Sequence, residues 1–261
     1  MAKGYRTAFF AYPAQPADLA ATISTAISAS NAAGTGITIQ GWPQLPVFGA
    51  NIADEVRKGI KYADVLVGDI TRPNLNVYYE IGYAVGEGRT VAPVLNASVA
   101  NAAKAIQRDG IFDNSGYQSY ENHEQLQAEL ASLPEHSLQE LYAKPINFQQ
   151  PLYVLQSFRK TDFLNSLVSA VKDARVHFRS FDPAEIPRLS AVSMIAEISA
   201  SSGVVIPLLP THIDDHERHN LRAAFIAGLS HGLQRQTLII QQHGDGNPVP
   251  ADFRDLVTTL S

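Results

Sequence analysis

The chain has 261 residues, enough for one large domain or two small ones, each with its own core. At 45% hydrophobic and 17% charged it reads as globular, and a net charge of −5 without basic runs argues against binding nucleic acid or an anionic membrane surface. No apolar run approaches the roughly 20 residues of a membrane span, cysteine is absent, and the polar start Met1-Ala2-Lys3-Gly4-Tyr5-Arg6 does not read as a signal peptide, so a cytoplasmic protein is expected.

Periodicity then alternates strand and helix. A strand is predicted over 7–12, a helix over 16–30 with Leu19, Ile23 and Ile27 on one face, a strand over 37–41, and a helix over 51–62 carrying Ile52, Val56 and Ile60. A strand over 65–69, a helix over 77–87 and a strand over 90–95 follow, and 117–133 reads as a loop and a polar helix closing this half. The same order returns as strand 152–156, helix 161–174, strand 176–181, helix 187–201, strand 204–209, a helix from 220 to 232, and strand 237–241.

Apolar strands alternating with helices give parallel sheets covered on both faces. The expected fold class is therefore α/β, with two tandem Rossmann-like (flavodoxin-like) modules of one ancestry over residues 1–146 and 147–261. The seam falls near Lys144-Pro145-Ile146-Asn147, and the second copy reads as stopping soon after 252–256, where the first begins its tail.

Ligands of open parallel sheets collect beyond the carboxyl ends of the strands. Those ends offer Tyr12 and Pro13, then Trp42, then Asp69 and Thr71. Glu80 enters from the opposite side, one turn into a helix whose expected cap is Asn76. The helix dipole favours its ionised form and apolar neighbours resist it. A carboxylate held beside aromatic rings can attack or stabilise an anomeric carbon as the bond to a base breaks.

The run Asp69-Ile70-Thr71-Arg72-Pro73-Asn74-Leu75-Asn76-Val77-Tyr78-Tyr79-Glu80-Ile81-Gly82-Tyr83-Ala84 resembles the central motif of nucleoside 2-deoxyribosyltransferase-like proteins, a group close in fold to TIR domains. Ala8-Phe9-Phe10-Ala11-Tyr12-Pro13 is similar to the first strand and loop of both. The resemblance covers the first module and touches the second in outline. It implies that Glu80 is the nucleophile or key carboxylate at C1′ of a nucleoside, nucleotide or NAD ribose, that Asp69 orients the sugar or base, and that Tyr12 lines the pocket. Pro13, Trp42, Thr71, Asn76 and Tyr79 complete the candidate substrate contacts. No metal or cofactor is required, and NAD stands among the candidate substrates. Related folds often complete their pockets across a dimer, so a homodimer or higher homo-oligomer is a further expectation. Such proteins include transferases, hydrolases and nucleotide sensors. Hydrolysis, transfer, and non-catalytic binding or scaffolding in a defence or signalling assembly all stay open.

Plainer readings stand beside these. Asp69 can simply accept backbone N–H groups of its loop, Glu80 can be a solvated first-turn acid, and Tyr78, Tyr79 and Tyr83 can be packing residues. Trp42 serves equally as a stacking platform or a loop anchor. Gly82, Gly86 and Gly88 read as permitting helix–sheet contact and a helix stop. Aligning the copies puts Ile226 where Glu80 stands, and Leu208-Leu209-Pro210 offers no counterpart to Asp69. The second copy should then brace the first, bind without turnover, or form an interface. Gly228-Leu229-Ser230-His231-Gly232 matches G-x-S-x-G, but a helix precedes it and a strand follows, the wrong context for a nucleophile elbow. His212, Asp214, Asp215, His216 and His219 have metal-ligand types yet read as a solvated loop. Arg218 and Arg222 suit either a phosphate at a helix start or ion pairs.

Overall fold

The computed structural model describes residues 6–34, 36–46, 48–112, 116–133, 136–181, 188–243, 249 and 251–260. In the first half, strands β1 (Arg6–Ala11), β2 (Ile37–Gly41), β3 (Val65–Asp69), β4 (Thr90–Asn96) and β5 (Gln118–Tyr120) form an all-parallel sheet in the order β2-β1-β3-β4-β5. Its helices are α1 (Ala17–Ala32), α2 (Ile52–Tyr62), α3 (Leu75–Gly86), α4 (Ala102–Asp109) and α5 (His123–Leu130). A short α6 (Leu138–Tyr142) leads into the second half. There β6 (Leu152–Leu155), β7 (Phe178–Phe181), β8 (Gly203–Pro207), β9 (Gln236–Gln242) and β10 (Val257–Leu260) repeat the plan in the order β10-β9-β8-β6-β7. Helices α7 (Asp162–Asp173), α8 (Ala191–Ser199) and α9 (His216–Gly232) accompany them. The protein is thus two tandem Rossmann-like α/β modules. No described helix is long and apolar enough to cross a membrane.

The departures from expectation are local. Three residues, Gln118 to Tyr120, join the first sheet as a fifth strand, where a loop is expected. The four residues of β10 do the same in the second sheet, so the second copy carries a counterpart of that tail strand. Helix α9 begins at His216, because a polar first turn hides its start from the apolar period. Ser190 caps α8, its Oγ accepting the N–H of Ser193 at 3.2 Å; the predicted start at Pro187 lies outside the described residues.

The halves meet through α3, almost wholly buried, and α9, buried from Leu221 to Ser230. Glycines set how close these helices come. A Cβ on Gly82 would collide with the Phe225 carbonyl, and one on Gly228 with the Tyr79 carbonyl; Gly86 and Gly232 meet Leu229 and Tyr83 in the same reciprocal way. The reciprocity defines an approximate two-fold relation that exchanges Gly82 with Gly228 and Tyr79 with Phe225. Gly82 and Gly86 therefore serve helix–helix rather than helix–sheet contact, while Gly88, at φ 73°, ends α3 as expected.

Candidate active site

The buried apolar run Val65-Leu66-Val67 carries β3 to Asp69, and the chain then turns into α3. The helix is capped by Asn74, whose Oδ1 accepts the N–H of Val77 at 3.1 Å, and not by the expected Asn76. Asn74 satisfies a first-turn donor two residues earlier, which draws Asn76 into the helix. Glu80 is consequently the sixth helical residue. There the dipole has faded, and burial governs the side chain, which is only 5% exposed.

A cavity of about 370 Å³ opens where the loops after β1, β2 and β3 converge. That volume falls at the small end of ligand pockets, and the place is the switch point of a 2-1-3-4-5 sheet. Tyr12, Pro13, Trp42, Asn76 and Glu80 are brought together on its wall. The rings of Tyr12 and Trp42 lie 6.3 Å apart at 48°, and Ile52 and Val56 of α2 add an apolar side. No lysine, arginine or histidine stands among the described lining residues.

One wall residue was not anticipated. Asp252 reaches the cavity from the second module, on a 3-10 segment, Ala251–Leu256, between β9 and β10. Arg57 of α2 holds that segment, donating from Nη1 to the Asp252 carbonyl at 2.7 Å and from Nη2 to Asp54 at 2.6 Å. The Glu80 and Asp252 carboxyls share a hydrogen bond. Burial first, then the Asp252 charge and that bond, push Glu80 well above the ordinary carboxyl range. Burial also raises Asp252, but the bond from Glu80 and the Arg57 charge oppose it. Both carboxyls are thus raised, Glu80 the more strongly, and the pair is expected to hold one proton between them. Trp42 Nε1 is buried without a hydrogen-bond partner among the described residues. An unmet donor of this kind costs about 1–3 kcal/mol, which a ligand or water in the cavity would relieve.

No family model and no curated protein matches the chain.

Three candidate residues stand away from the cavity lining. Asp69 is fully buried and accepts the Thr71 N–H at 3.2 Å, the Thr71 hydroxyl at 2.9 Å and the Tyr120 hydroxyl at 2.7 Å. Thr71 in turn accepts the Asn96 N–H at 2.8 Å, so the pair staples the end of β3 to its neighbours. Burial pushes Asp69 up to about 6 against the pull of these donors. Tyr79 lies behind Glu80, its hydroxyl 3.1 Å from His231 Nδ1 and 3.4 Å from Arg57. Burial pushes its phenol up to about 12.

The second copy's tempting motifs have structural uses. Ser230 of the G-x-S-x-G run is buried within α9 and donates to the Ala227 carbonyl at 3.0 Å. Asp214 pairs with Arg159, Asp215 with Arg218, and His219 Nε2 lies 2.8 Å from the Pro207 carbonyl. The two-fold relation also locates the second copy's counterparts of the two acids. Tyr79 packs on Phe253 at 5.2 Å and its counterpart Phe225 on Phe112 at 6.0 Å, so Asp252 corresponds to Ile111 just as Glu80 corresponds to Ile226. Both acids of the pair are isoleucines at the related place. That acid-for-isoleucine difference becomes visible only once the two-fold relation aligns Asp252 with Ile111.

Proposed function

We propose that the chain breaks, or transfers across, the N-glycosidic bond of a nucleoside, with Glu80 and Asp252 as the reacting pair. The observation that carries this reading is the hydrogen-bonded carboxyl pair on the wall of a cavity flanked by Tyr12 and Trp42. As Glu80 attacks C1′, its proton passes to Asp252 and on to the departing nitrogen, which leaves with the bond's electron pair as free base. The glycosyl group stays esterified to Glu80. Asp252 then takes a proton from water as the water oxygen attacks C1′ and frees Glu80; a second base in place of water gives transfer. Tyr12 and Trp42 offer faces for the base, and Asn76 offers hydrogen bonds to the sugar.

With two acids and no cation among the described lining residues, the wall disfavours a phosphate. Uncharged nucleosides rank above nucleotides and NAD on this ground. The reading asks for no metal or cofactor and places the protein in the cytoplasm. It also lets a single chain build one complete site, since the second module supplies what a partner subunit would.

The test is incubation with a panel of nucleosides, nucleotides and NAD, followed by chromatography for free base. Wild type should release base from at least one nucleoside. Glu80→Gln should fold and lose about 10³-fold or more in turnover. Full turnover by that variant would discard the assignment.

A further inference from the structure

Two amides on the cavity wall, Asn74 and Asn76, have their acceptor ends engaged. Asn74 Oδ1 accepts the Val77 N–H at 3.1 Å, and Asn76 Oδ1 accepts the Asp252 N–H at 3.5 Å. A backbone N–H can only donate, so neither amide can be turned end for end without losing its bond. What each asparagine has left for a ligand is Nδ2, a donor, and neither Nδ2 has a partner among the described residues. Trp42 adds Nε1, a third donor in the same condition.

The acceptors on this wall are the Glu80 and Asp252 carboxyls, which the proposed reaction uses at C1′ and at the departing nitrogen. Among the other described lining side chains, the Tyr12 hydroxyl and the exposed Gln15 amide can serve in either sense. With Asn76 given to the sugar, Asn74 is the foremost reader of the base, and it can only donate.

A base meets a wall first with the group that projects from its ring. A carbonyl oxygen there accepts from the waiting amide. An amino group in its place also donates, so both groups lose water and gain no bond. We propose, taking the cavity as a nucleoside site, that it selects keto bases such as uracil and hypoxanthine over their amino counterparts cytosine and adenine.

Uridine against cytidine and inosine against adenosine test this, and the 2′-deoxy pairs repeat the comparison on the other sugar. Trp42 is the chain's sole tryptophan, so its fluorescence reports filling of the cavity. Wild type is titrated with each nucleoside, and Glu80→Gln replaces it for any that is turned over. The keto member of each pair should bind about tenfold tighter or more, and kcat/KM should favour it in the same sense. Asn74→Ser keeps a capping oxygen for Val77 without the amide, and Asn74→Asp keeps the cap while placing an acceptor where the donor was. The preference should shrink in the first variant and shrink further or reverse in the second. Equal affinities, a preference for amino bases, no nucleoside binding, or a preference that both variants leave intact overturns the proposal. Release of base without any keto preference would sink this selectivity and leave the glycosidic reading standing. A keto preference without release of any base would uphold the selectivity and sink the reading of Glu80 as a nucleophile.

Discussion

At the scale of single residues, burial decides both what Glu80 can do and how it responds to pH. Its folded value lies above its unfolded one, so the native state holds a proton that the unfolded chain releases. The associated stability is complete at low pH and is lost as pH rises through the raised value. Glu80→Gln stays neutral throughout. Urea denaturation should find it equal to wild type near pH 4 and about 1–2 kcal/mol more stable at pH 8. Equal stability at both values would contradict a protonated Glu80. Asp69 offers an independent check at its value of about 6. The Tyr120 hydroxyl favours its ionised form, so Tyr120→Phe should cost about 1–2 kcal/mol at pH 8 and clearly less at pH 5. A penalty that ignores pH would mean that Asp69 does not titrate in that window.

At the scale of elements, α3 and α9 make the closest backbone approach at any described glycine. Gly82→Ala and Gly228→Ala each drive a methyl group into a carbonyl of the facing helix, and the backbone must move. A loss of about 3 kcal/mol or more is expected for either in equilibrium unfolding, against about 1 kcal/mol for Gly88→Ala at its positive φ. The same elements mark how far the sequence could be read. Strand–helix alternation and the duplication are legible because apolar period and order recur over whole elements. The strands at 118–120 and 257–260 are too short to show a period, so only pairing with their neighbours reveals them. Asn74 and Asn76 are both good caps, and only backbone geometry chooses between them. The glycine spacing was visible in both helices, but spacing alone does not say whether a sheet or a helix lies opposite. Tyr12, Pro13, Trp42 and Glu80 were legible because strand ends predict convergence. Asp252 was not, because its place depends on how the two copies dock.

At the scale of the whole molecule, neither module is self-sufficient. Ten of the twelve residues of α3 are buried, and α9 supplies much of that cover. Residues 1–146 produced alone should bare this helix and aggregate, while co-expression with 147–261 should restore a soluble complex with a complete cavity. Size-exclusion chromatography of the two preparations distinguishes these outcomes. The hydrogen bond between Glu80 and Asp252 has a consequence for genetics as well. If the proposed activity holds, a random-mutagenesis screen for its loss would recover lesions around positions 251–256, inside the half that has no counterpart of Glu80. Mapped along the gene without regard to how the halves interlock, those lesions would be mistaken for damage to a regulatory appendage.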